Sequence, residues 1–164
     1  MRPQSQFGFL LLAAALAVGG YLAASGCMNQ PAPDFSLPEV DGTQVDLQSY
    51  RGRPVLLVFW TASCGICQRE LPLLSQLEPD FRNNHISLVA IHLGATDEAR
   101  EYMSTNRIRL RSLSDSDGTV GRAYHVGGIP KLVLIDADGR IKHNTSGWVG
   151  ESTLVDWMHE FRDF

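Results

Sequence analysis

Two cysteines separated by two residues, Cys64 and Cys67, stand in "FWTASCGICQREL", residues 59–71. They follow an apolar run and precede a stretch of helical period. Such a pair can hold a metal, brace a fold or exchange disulfides. A structural zinc site commonly uses two such pairs. This chain has three cysteines in all, and none of its five histidines stands at zinc-finger spacing to the pair. No metal is therefore expected. A purely structural bridge over so short a loop gains little, because loop-closure entropy rewards long loops. Redox exchange fits better. A helix N-terminus carries partial positive charge and free N–H groups. A thiolate there is stabilised, so Cys64 is expected to have a lowered pKa and to attack. Cys67, about one turn later, can then resolve the mixed disulfide. The redox-active pair is the only cofactor-like group the sequence calls for.

The surrounding elements must put the pair at a strand-to-helix junction. "VLLVFW", Val55–Trp60, is a continuous apolar run and predicts a strand buried on both faces. Leu71, Leu74, Leu77 and Phe81 then recur at helical spacing, with Pro72 expected to kink the helix. Further strands are expected at 86–91, 111–113, 131–135 and 140–145, and further helices at 96–106, 119–124 and 151–161. Asp41-Gly42 marks a hairpin turn. This order predicts an α/β domain with a central mixed sheet flanked by helices.

Ahead of this domain, Phe7 to Gly26, "FGFLLLAAALAVGGYLAASG", carries no charge. Its length suits a membrane span, and it also resembles a secretory signal. Cys27 directly follows "LAASG", a stretch similar to a bacterial lipobox, although Ala24 stands where a larger aliphatic residue is usual. Lipidation of Cys27 is favoured over an uncleaved anchor or simple cleavage. Each would export the domain to the bacterial cell envelope, facing the periplasm. The expected division is 1–27 as signal or anchor, 28–33 as a Pro-rich linker, and 34–164 as the folded domain. The net charge of −4 and the lack of a basic run argue against nucleic acid as a partner.

Three blocks, "PDFSLPEVDGTQVDL", "RGRPVLLVFWTASCGICQRELP" and "GGIPKLVLIDADGRI", occur in this order. Together they resemble the thioredoxin fold and, within it, the TlpA/ResA-like membrane-tethered thiol–disulfide oxidoreductases of the AhpC/TSA–Redoxin superfamily. The resemblance implies that Pro130 is a cis-proline beside the disulfide and that Ile129 offers its backbone to an extended substrate. Trp60 is expected to wall the site. It further implies a reductase of exported protein disulfides, such as those of apocytochrome c, fed by a membrane thiol-electron transporter. The chain departs from the family at Ser63, often Trp, and at Ile66, often Pro.

Two alternatives are defined by residues. Thr61-x-x-Cys64 resembles the peroxiredoxin motif, without its usual proline, since Leu57 occupies that place. A Sco-like copper chaperone is the non-enzymatic alternative, although its cysteines have three intervening residues. Glu70 and Arg69 read as a solvated helix face. His92 is read as passive, and His125 as a neighbour of the "VGGIP" stretch. Val58 and Ala95 stand where related proteins carry a buried carboxylate. A water relay for the Cys67 proton is therefore expected, with Asp97 capping the next helix.

Overall fold

The computed structural model describes residues 29–161. Seven strands form, β1 (Ser36–Pro38), β2 (Gln44–Asp46), β3 (Val55–Trp60), β4 (Ser87–His92), β5 (Arg111–Ser114), β6 (Lys131–Ile135) and β7 (Ile141–Ser146). Four α-helices accompany them, α1 (Cys67–Asn83), α2 (Thr96–Thr105), α3 (Thr119–Ala123) and α4 (Glu151–His159). β1 and β2 make a small antiparallel hairpin, and the others form one sheet in the order β5-β4-β3-β6-β7.

β3 is central because all six of its residues are apolar and both its faces are covered. It runs parallel to β4 and antiparallel to β6, with Val55 opposite Ser87 and Ile135. Successive right-handed crossovers from β3 to β4 to β5 place α1 and α2 on the same face. There Leu56, Val58 and Trp60 pack with Leu71, Leu74 and Phe81 of α1, Met103 of α2 and Leu154 of α4. The opposite face sets Val55, Leu57 and Phe59 against the β1–β2 hairpin, Tyr50, and Val120 at α3.

The expected elements all form. α1 continues through Pro72 and Pro79. Residues 29–32, expected to belong to a linker, are fastened to the domain. The Asn29 N–H donates to the Ile141 carbonyl and the Ala32 N–H to the Gly139 carbonyl, while Pro31 bridges Arg140. Among the described residues no helix is long and apolar enough to cross a membrane. The segment expected to do so, and Cys27, lie outside them.

Candidate active site

β3 delivers the chain to one end of the sheet, and residues 61–66 turn it into α1, whose first residue is Cys67. A disulfide joins Cys64 and Cys67, with Cα atoms 5.2 Å apart. The two sulfurs are not equivalent. Cys67 is wholly buried among Trp60, Leu71 and Leu74, whereas Cys64 is only partly buried at the edge of that cluster. The Cys67 N–H donates to the Cys64 Sγ at 3.1 Å. No side-chain cap occupies the N-terminus of α1, so the sulfur stands where an N-cap oxygen would. A negative Cys64 Sγ would thus meet a backbone donor and the positive end of a 17-residue helix. Reach and electrostatics favour Cys64 for attack, and burial reserves Cys67 for the internal step.

The Ile129–Pro130 bond is cis. Pro130 is buried, its carbonyl accepts the Gly147 N–H at 2.7 Å, and Ile129 lies half-buried against the cluster that holds Cys64 and Cys67. The polypeptide after β7 is thereby drawn to the same end of the sheet. Trp148 follows at once, exposed, with the Arg69 guanidinium 5.7 Å from its ring centre. Ile66 and Trp148 are the exposed large apolar side chains of the described residues, and both belong to this end of the molecule.

Trp60 is 0% exposed, so its part in the site is played from beneath the disulfide and not as a surface that a substrate touches. The edge of its ring system meets His92, with ring centres 4.7 Å apart. His92 ends β4 and is fully buried, and burial lowers its pKa so that the neutral ring is favoured. Its Nε2 stands 3.7 Å from the Glu98 carboxylate. His125 has an exposed side chain, and its carbonyl accepts from the Lys131 ammonium. Thr61 Oγ1 lies 3.3 Å from Ser63 Oγ. Asp97 is exposed and pairs with Arg100, and the N-cap position of α2 is Ala95.

Glu70 corrects the reading of a solvated helix face. It is 0% exposed. It lies three residues after Cys67, hence on the same face of α1 and one turn deeper. Its Oε2 accepts the Val149 N–H at 3.4 Å, and its Oε1 has no hydrogen-bond partner. Burial raises its pKa, the Val149 donor and Arg69 opposing only in part. A buried carboxylate thus lies one helical turn beyond Cys67, at a position other than Val58 and Ala95. The signal was present in the sequence, because the period that buries Cys67, Leu71 and Leu74 also places position 70 on that stripe. Among the described residues no group of three or more His, Cys, Asp or Glu side chains could hold a metal ion.

A cis-proline at the same end of a central mixed sheet as a Cys-x-x-Cys pair at the head of a helix defines a thioredoxin-like thiol–disulfide oxidoreductase. The AhpC/TSA family model matches residues 28–144, and the chain belongs to that family. It is 30% identical over 136 residues to the thiol-disulfide oxidoreductase ResA of Geobacillus thermodenitrificans, covering 82% of this chain and 78% of that protein. The ResA of Bacillus subtilis is 28% identical over 129 residues, covering 78% and 72%. A solved secreted disulfide oxidoreductase of Mycobacterium tuberculosis superposes with a TM-score of 0.68 at 26% identity, covering 77% of this chain and 95% of that one. The chain is accordingly a thiol–disulfide oxidoreductase.

Proposed function

We propose that the chain is a membrane-attached disulfide reductase of exported proteins, apocytochrome c being one candidate. The observation that carries the reading is the asymmetry of the pair, a partly exposed Cys64 sulfur held by the Cys67 N–H and a wholly buried Cys67 one helical turn from a buried acid. In the reduced state the Cys64 thiolate attacks a substrate disulfide. One S–S bond forms between Cys64 and the substrate, and the substrate's other sulfur leaves as thiolate. Cys67 then loses its proton and attacks the Cys64 sulfur, which releases the second substrate thiol and restores the Cys64–Cys67 disulfide. Two electrons have passed to the substrate, and a membrane thiol-electron transporter would return them.

Glu70 supports the second step. A buried carboxyl with a raised pKa is a stronger base than an ordinary carboxylate and would accept the Cys67 proton. Ile129 and Pro130 would align the substrate backbone over Cys64, and Ile66 and Trp148 would cover its side chains. Lipidation of Cys27 would attach the domain to the membrane. The Thr61-x-x-Cys64 arrangement keeps a thiol peroxidase as the second reading, and peroxide turnover by the reduced protein discriminates. The state of the Cys64–Cys67 pair in living cells tests the direction. A mostly reduced pair supports a reductase, and a mostly oxidised pair would assign an oxidase.

A further inference from the structure

The end of the sheet opposite the disulfide has its own chemistry. Because β3, β4 and β5 run parallel and β6 antiparallel to them, segments 51–54, 84–86, 106–110 and 136–140 all gather there. They carry five arginines, Arg51, Arg53, Arg107, Arg109 and Arg140, against two aspartates, Asp136 and Asp138. Arg82, in the last turn of α1, adds a sixth cation. The segments at the disulfide end, 61–66, 93–95, 115–118, 124–130 and 147–150, themselves carry no Lys or Arg and two aspartates, although Arg69, Arg122 and Lys131 border them in the chain. A chain of net charge −4 thus gathers six of its arginines at one end.

Five acids also lie near that end, Asp136, Asp138, Glu78, Asp80 and Glu160. Asp136 Oδ1 accepts the Asp138 and Arg140 N–H groups, Glu78 pairs with Arg82, and Glu160 pairs with His143. Asp80 remains on the neighbouring turn of α1. Arg53, Arg107 and Arg109 are exposed and form no ion pair with a carboxylate among the described residues, while Arg82 is exposed and pairs with Glu78. Arg53 and Arg82 flank a cleft of about 860 Å³.

The path of the chain supplies the second observation. Asn29 is fixed beside the β6–β7 turn at this same end, with its carbonyl accepting from Arg140 at 2.9 Å. Only Met28 lies between Asn29 and Cys27. At ~3.5 Å per residue, Cys27 is within about 7 Å of Asn29. If residues 7–27 attach to a bilayer, the β6–β7 corner of the arginine end is held within about one Debye length of its surface, where charge is felt strongly.

We propose that this arginine-bearing end is a docking face for the anionic lipid headgroups of the membrane to which the chain is attached. The proposal rests on the membrane attachment read above. The domain would stand with the sheet upright, and the disulfide would face away at a height of roughly 20 Å, the length of a six-residue strand at about 3.3 Å per residue.

The test uses the full chain on nanodiscs of phosphatidylcholine, alone or with phosphatidylglycerol, each carrying a gadolinium-chelate lipid. With phosphatidylglycerol present, the amides of Gly52, Asn84 and Gly139 should relax several-fold faster than those of Gly65, Gly127 and Gly150. That contrast should shrink on phosphatidylcholine alone, in raised salt, and in an Arg53→Gln, Arg82→Gln, Arg109→Gln triple variant. The wild-type salt series stands whether or not the variant folds. Equal relaxation at both ends, or a contrast indifferent to lipid charge, on a chain that stays on the discs would overturn docking and leave attachment intact. Retention by phosphatidylglycerol discs alone, lost in the variant, would support docking and reject attachment through residues 7–27. A chain held by neither disc would reject both.

Discussion

At one end of the five-stranded sheet, the connections around Cys64 are short, free of Lys and Arg, and edged by the exposed side chains of Ile66 and Trp148. At the other end they are arginine-rich, and α1 closes there with the fully buried Phe81. The acids differ as well. Glu70, near the disulfide, is buried with one oxygen unpartnered, whereas Glu78, three residues before Phe81, pairs openly with Arg82. A strand-to-helix junction can hold a reactive sulfur on the helix N-terminus while the far end of the same elements supplies packing and surface charge. Buried charge is tolerated where it has a chemical use and screened where it does not.

The largest expected effect is at Cys64. Cys64→Ser should abolish disulfide exchange, read as loss of insulin reduction, with folding retained. Next is Glu70→Gln, which should slow resolution of a mixed disulfide by about 10²-fold, the lower range for a positioned acid or base. It should also remove the lower inflection from the rate–pH profile. Single-turnover kinetics would show either.

Stability should move the opposite way in the same variant. The folded pKa of Glu70 is raised, so the native state binds more protons than the unfolded one above the unfolded value of about 4.3. Stability should therefore fall as pH rises from there through the folded pKa. Glu70→Gln should raise Tm near neutral pH and leave it little changed near about pH 4, as calorimetry would show.

At the opposite end, Phe81→Ala should cost about 3–5 kcal/mol of stability, since a large ring leaves a cavity in packed surroundings. In the folded fraction it should leave the exchange rate unchanged, and urea unfolding with a parallel activity assay separates the two. A matching loss of exchange would break the comparison between the ends. The smallest effect should come from Arg53→Gln and Arg109→Gln, each within about 0.5 kcal/mol and without effect on exchange in solution.

Much of this was legible in the sequence, for reasons that differ by residue. The six apolar residues of β3 allow little but a buried central strand, and Cys64-Gly65-Ile66-Cys67 directly after it marks the junction. The cis bond before Pro130 followed from family resemblance and not from local propensity, which favours trans. Glu70 is charged, which suggests a solvated face, yet its helical position puts it on the buried stripe of α1. Residues 29–32 read as a linker because proline lacks a backbone donor, yet flanking Asn29 and Ala32 supply N–H groups to the β6–β7 turn. Trp60, expected to wall the site, is buried by its place at the end of a strand covered on both faces.

The central claim is that Cys64 meets the substrate and Cys67 resolves. It is tested most directly by expressing Cys67→Ser and Cys64→Ser in cells, quenching with acid, alkylating, and comparing the mixed disulfides each variant retains. Abundant adducts on Cys64 in Cys67→Ser and few in Cys64→Ser are predicted. Equal trapping by the two variants, or trapping through Cys67 alone, would contradict it.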